Sequence, residues 1–203
     1  MKVKILDMTA DPLFNINMAA RMCYNSRDKY NLEKREDFVR GLIKSGHTSM
    51  LEMAQVIFDV EGVSRSCLAQ VSRHRVGVTL AVQSQRYVNQ ENNRCVFPPS
   101  LEYNKLDDEK SIIFENALQT ARSAYKELIA LGVKKEDARF VLPEATSTNF
   151  TICFNFRSLR HFLSLRLSKT AQWEVRQLAS EFKRLVVERG LGCLVEDIED
   201  DSK

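Results

Sequence analysis

The segment Ser72 to Tyr87 holds the residues best equipped for chemistry: Arg73, His74 and Arg75, followed by Gln83, Ser84, Gln85 and Arg86. An arginine never deprotonates in a protein, so it cannot act as a general base. It does present a planar fork of donors that fits phosphate and carboxylate, and it can stabilise an anion that forms during a reaction. Guanidinium groups close together repel one another unless anions lie between them. The segment therefore reads as a site for phosphate or another polyanionic ligand. Charge alone favours a blander reading, a solvated basic face at the end of a helix. A second polar cluster, Arg139 with Asn155, Arg157, His161 and Arg166, reverses that weighting. A third, smaller cluster runs from His47 to Glu52 and includes Ser49. These clusters bring together several arginines with few acidic residues nearby in sequence, and Gln70 stands just ahead of the first. No Ser/His/Asp order, HExxH, P-loop or GxGxxG occurs, so the usual equipment for hydrolysis or metal catalysis is missing. Arginines, amides and hydroxyls suit a nucleotide plus a second phosphorylated ligand. His74, flanked by two cations, is expected to be neutral and to hydrogen-bond or stack rather than shuttle protons.

The bulk of the chain sets limits on this reading. Its 203 residues fit one domain with a substantial core. Thirty basic residues against 27 acidic ones leave a net charge of +3, too balanced for a dedicated nucleic-acid binder. The five cysteines, Cys23, Cys67, Cys95, Cys153 and Cys193, are scattered and form no CxxC pair. That argues against a zinc site or a disulfide framework and suits a reducing cytoplasm. Cys67 and Cys153 read as core thiols. No apolar run approaches a membrane span, and the start of the chain lacks a signal-peptide core.

The elements that must position these residues follow from periodicity and punctuation. Val3 to Met8 reads as a strand, and Asp11-Pro12 as the cap and first residue of a helix reaching Met22. A second helix covers Lys34 to Lys44, ended by Gly46. The His47–Glu52 stretch reads as a loop before a strand, Gln55 to Val60, which Gly62 closes. Val63 to His74 is expected to be a short helix that presents Gln70 and Arg73 on one face. Arg75 to Ser84, β-branched and broken by Gly77, reads as an extended or irregular loop. Asn89 to Leu101 is expected to be a connector. Asp107 or Asp108 can cap a long helix to Ala130 with Ile113, Ala117, Ala121, Ala124 and Leu128 as its packing stripe. A short helix, Lys135 to Phe140, presents Arg139. Thr146 to Phe156 alternates so cleanly that it is the clearest strand. A helix from Ser158 places Arg166 on its buried side, where a guanidinium must have partners; His161 stands one turn beyond Arg157. Gln172 to Arg189 is a final amphipathic helix, and the acidic tail from Glu196 to Lys203 is expected to fray.

Several blocks in one order resemble the flavin-dependent thymidylate synthases. Arg73-His74-Arg75 with Ser84-Gln85-Arg86 resembles the family's RHR…SxR signature, and Gly46 to Glu52 its GHxSxxE loop. Glu61 to Arg65, Arg139 to Pro143, Asn155 to Leu159, Arg166 and Ala171 to Glu174 agree as well. The resemblance implies an α/β (α+β) fold: a central, mostly antiparallel sheet with flanking helices, one domain over residues 1–195, assembled as a homotetramer with FAD bound between subunits. It implies reductive methylation of dUMP to dTMP, with methylenetetrahydrofolate as carbon donor and NADPH as reductant through FAD, without a cysteine nucleophile or a metal. Carried over by position, Ser49, Arg73, His74, Arg75, Gln83, Asn155, Arg157 and His161 would contact FAD. Gln70, Arg73, Gln83, Ser84, Gln85, Arg86 and Arg139 would hold dUMP, with Ser84 and Arg86 near its phosphate. Arg166 would sit beside the pyrimidine as the catalytic cation, lowering the cost of ionising N3. Two other readings remain at this point: methylation of another pyrimidine nucleotide such as UMP, and a non-catalytic nucleic-acid-binding module.

Overall fold

The computed structural model describes residues 1–101 and 108–200. Four strands form one antiparallel sheet: β1 (Lys2–Met8), β2 (Gln55–Ser64), β3 (Val78–Val82) and β4 (Ser147–Asn155), in the order β1-β2-β4-β3. The register shows in pairs whose numbers run oppositely. Cys153 Sγ meets Gln55 Oε1, Thr151 meets Asp59, and the Gly62 amide donates to Asn149. On the other side of β4, the Gln83 amide donates to Asn149 O at 2.9 Å and the Asn155 amide to Gly77 O at 3.2 Å. Among the described residues there are seven α-helices: α1 (Pro12–Met22), α2 (Arg35–Lys44), α3 (Arg65–Val71), α4 (Glu109–Ala130), α5 (Lys135–Ala138), α6 (Phe156–Arg166) and α7 (Trp173–Glu188). Among the described residues no helix is long and apolar enough to cross a membrane.

The chain packs as two compact units, one of Met1, Glu61–Ala69 and Val82–Phe150, the other of Lys2–Val60, Gln70–Ala81 and Thr151 onward. The second unit holds the larger core. Phe58 stacks on Phe182 at 4.2 Å, and Phe154 and Phe162 close around them; all four are fully buried. In the first unit Tyr125 is the anchor: fully buried, its hydroxyl accepts from the Gln90 amide at 3.3 Å.

Helix ends follow their local chemistry. Asp11 accepts from the Phe14 amide at 3.0 Å with Pro12 at the first helical position. Gly46 ends α2 with φ +76°; its amide donates to Ile43 O, and the His47 amide to Leu42 O. That is a Schellman arrangement, and it fixes where the chain leaves the helix. The alternation of β4 holds as well, with Phe150, Ile152, Phe154 and Phe156 buried.

Several expectations are corrected. Gly62 does not close β2; it lies within the strand at φ +76°, and the strand runs on to Ser64. α3 accordingly starts at Arg65 and stops at Val71, so Arg73 lies past its end rather than on a shared face with Gln70. The loop expected over Arg75–Ser84 contains β3, because its β-branched residues find β4 to pair with. The His47–Glu52 loop is largely a 3₁₀ turn, Thr48–Met53. α6 begins two residues before Ser158. The buried line of α4 is Ser111, Leu118 and Tyr125, seven residues apart, while Ile113 is 62% exposed; the Tyr125 anchor sets how the helix is turned. Asp108 stands at the N-cap of α4, and Asp107 lies outside the described residues. Cys153 faces the polar side of β4 and is only half-buried. The tail from Glu196 through Asp200 is docked, not frayed. Arg160 grips both Asp197 oxygens at 2.6 and 2.7 Å, Arg40 pairs with Glu196, and Ser180 bonds Asp200.

Candidate active site

The turn Arg73 to Gly77 is held against the start of α6. Asn155 caps this helix, its Oδ1 accepting from the Ser158 amide at 2.8 Å. Gly77 sits just beyond, at φ +66°, and a Cβ there would overlap Ser158 Oγ and Asn155 Nδ2. Only glycine satisfies both the backbone angle and the space. The Ser158 hydroxyl donates to Val76 O at 2.7 Å. A cavity of about 280 Å³ opens here, lined by the three residues Arg73 to Arg75, by Val76 and Val78, and by Ser158, His161, Leu165 and Arg166 from α6.

Arg166, the last residue of α6, has the partners its position demands. Its Nε donates to His74 Nε2 at 3.0 Å and its Nη2 to Gln70 O at 3.1 Å. Because a guanidinium only donates, His74 Nε2 must be bare and Nδ1 must carry the ring proton. The His74 ring also packs edge-on to Phe162 at 4.8 Å and to His161 at 6.0 Å. Burial, then the charge of Arg166, then His161, pushes its pKa down to about 4. His74 is thus neutral, as expected, but the main cause is burial rather than the flanking Arg73 and Arg75.

The expectation of few acidic partners holds only in part. Arg157 donates to Glu52 at 2.6 Å and Arg86 to Glu136 at 3.0 Å. Arg73 and Arg75 are exposed, and neither side chain has a hydrogen-bond or ion-pair partner among the described residues. Within the second unit the structure therefore gathers Gln70, Arg73, His74, Arg75, His161 and Arg166 around one cavity or its immediate frame. Asn155 adjoins it as the cap of α6. Ser49 is not there; with His47, Met50, Arg21 and Phe38 it lines a separate cavity of about 380 Å³. Gln83, Ser84, Gln85, Arg86 and Arg139 belong to the first unit. There Ser84 Oγ accepts from the Arg86 amide, Gln85 is buried, and Arg139 Nε donates to Glu136 O at 3.0 Å. Glu136 thus ties Arg86 and Arg139 to one short helix.

Sequence alone gives no role to Ser158, Gly77 or Glu52. For the first two a signal exists: Asn155 and Ser158 have the three-residue spacing of an N-cap, and Gly77 interrupts a β-branched run. Glu52 meets Arg157 across 105 residues, and no local pattern announces such a pair. Among the described residues no cluster of His, Cys, Asp or Glu could hold a metal ion.

Comparison with known proteins bears on the family and the fold. The family model described as Thymidylate synthase complementing protein matches residues 4–189. A flavin-dependent thymidylate synthase of Geobacter sulfurreducens is 38% identical over 210 residues, spanning 96% of this chain and 89% of that protein. One from Haloarcula marismortui is 35% identical, spanning 93% and 91%. The crystal structure of Thymidylate Synthase X from Helicobacter pylori with FAD and dUMP superposes with a TM-score of 0.79 at 27% identity, covering 100% of both chains. With its fold, its ordered motifs and its full-length relatives in agreement, the chain belongs to the flavin-dependent thymidylate synthase family.

Proposed function

We propose that this chain methylates dUMP to dTMP reductively, as a flavin-dependent thymidylate synthase. The observation that carries the reading is a fixed cation beside two that have no partner among the described residues: Arg166, clamped by His74 and Gln70 O, with Arg73 and Arg75 at the same cavity. Free guanidinium groups at an open rim suit phosphates. A clamped guanidinium suits a pyrimidine whose N3 must become anionic. The cavity is small for a ligand site, so it fits one ring system of a dinucleotide rather than all of it. When bound, FAD supplies the relay of reducing equivalents from NADPH.

The chain's own residues do the rest. Arg73, His74 and Arg75 contact FAD, with Arg73 shared with dUMP, and Ser49, Gln83, Asn155, Arg157 and His161 complete the flavin contacts. Gln70, Gln83, Ser84, Gln85, Arg86 and Arg139 hold dUMP, with Ser84 and Arg86 at its phosphate. Arg166 stabilises negative charge on the pyrimidine, which makes C5 the nucleophile toward the carbon donated by methylenetetrahydrofolate. Residues 1–195 act as one domain in a cytoplasmic homotetramer whose FAD lies between subunits. Exposed apolar side chains support assembly: Leu131 and Phe140 are each 82% exposed and Ile113 62%.

Purified protein should be yellow and should release tritium from C5-labelled dUMP when supplied with methylenetetrahydrofolate and NADPH. Colourless protein that gains no flavin on adding FAD refutes the reading, and release from labelled UMP but not dUMP refutes the substrate.

A further inference from the structure

We propose that Ser158 is a positioning residue whose hydroxyl latches the arginine-bearing turn in its ligand-ready shape; this rests on the functional reading above. The turn is gripped at two points. At its start, Arg166 bonds both Gln70 O and the His74 ring. At its end, Ser158 Oγ bonds Val76 O at 2.7 Å and the Asn155 amide bonds Gly77 O at 3.2 Å. Arg75 lies between the grips, its side chain exposed and held by nothing among the described residues.

The apolar contacts cannot do this work. Val76 is 89% exposed, so packing does not hold it. Gly77 has no side chain and occupies a left-handed conformation, which the unlatched turn would abandon readily. The Ser158 amide is already satisfied by the Asn155 cap, so its hydroxyl is spare for the turn and is not needed to start α6. Without the latch, Val76 O is released and the bonds from Arg166 and Asn155 hold the Arg73–Gly77 turn less tightly, so part of the cost of ordering it falls on the ligand.

The test is Ser158→Ala in the full chain, freed of flavin and then titrated with FAD. A lost hydrogen bond of ordinary strength corresponds to about 3- to 10-fold in an equilibrium constant. Amide hydrogen exchange in the peptide covering 72–78 should quicken about 3- to 10-fold, with peptides from α7 and β2 unchanged. The Kd for FAD should rise by a similar factor, and Ser158→Thr, which keeps the hydroxyl, should restore both. Exchange in 72–78 within twofold of the parent overturns the latch. Faster exchange spread over the whole protein, or faster local exchange with unchanged FAD affinity, overturns the positioning role. If the parent itself takes up no FAD, the functional reading fails, and the exchange measurement still decides the latch.

Discussion

Acidification attacks the contact between Arg166 and His74 directly. Protonating His74 Nε2 removes the acceptor for Arg166 Nε at 3.0 Å and places a second cation against the first. The folded ring titrates at about 4 rather than 6.5, so between those pH values the unfolded chain binds a proton that the folded chain refuses. Stability from this group is complete above about pH 6.5, declines as pH falls, and is gone below about 4. The ceiling is about 3.4 kcal/mol, at 1.36 kcal/mol per pH unit. The ring is only half-buried, and solvent screening brings the expected contribution to about 1–2 kcal/mol. His74→Gln supplies the control, since an amide oxygen can accept from Arg166 and does not titrate. Equilibrium urea unfolding of both proteins at pH 7 and pH 4.5, at one protein concentration, isolates the effect. The parent should lose about 1–2 kcal/mol more than the variant. Parallel losses within about 0.5 kcal/mol would show that His74 is not the neutral partner of Arg166.

Arg166→Ala should fold and, with its grip on the turn lost, bind FAD more weakly, yet at saturating FAD it should carry flavin and still lose most turnover; near-normal tritium release from dUMP would remove its catalytic role. Gly77→Ala should destabilise the protein by about 2 kcal/mol or more, because it combines a left-handed backbone with an overlap against Ser158 and Asn155; a melting temperature within a degree of the parent would refute that. Asp197→Asn should cost about 1–2 kcal/mol by breaking the bidentate grip of Arg160. Arg160 holds the Asp197 pKa below its ordinary value. The difference between parent and variant should therefore be present at neutral pH and vanish as pH drops through that lowered value.

Features written in neighbouring residues were legible in the sequence. Asp11-Pro12, Gly46 and the phenylalanine alternation of β4 each set a local element, and each appears as expected. The buried-side Arg166 announced its need for partners, although the sequence could not name His74 and Gln70 O. What failed depended on distant chain. Val78–Val82 became a strand because β4 offered a ladder. α4 turned away from its apolar stripe because Tyr125 had a partner at Gln90. The acidic tail docked because Arg160 and Arg40 awaited it. Of the residues the sequence grouped as one site, those of the second unit share a cavity or its frame, except Ser49 and the paired Arg157.

The bond between Arg157 and Glu52 changes what an arginine count means. An anion reaching this guanidinium finds it occupied by a carboxylate 2.6 Å away and gains only the difference between two attachments. Arg73 and Arg75 charge no such toll. An anion should thus gain somewhat less at Arg157 than at Arg73 or Arg75, and because both members of the pair are about half exposed that difference is small.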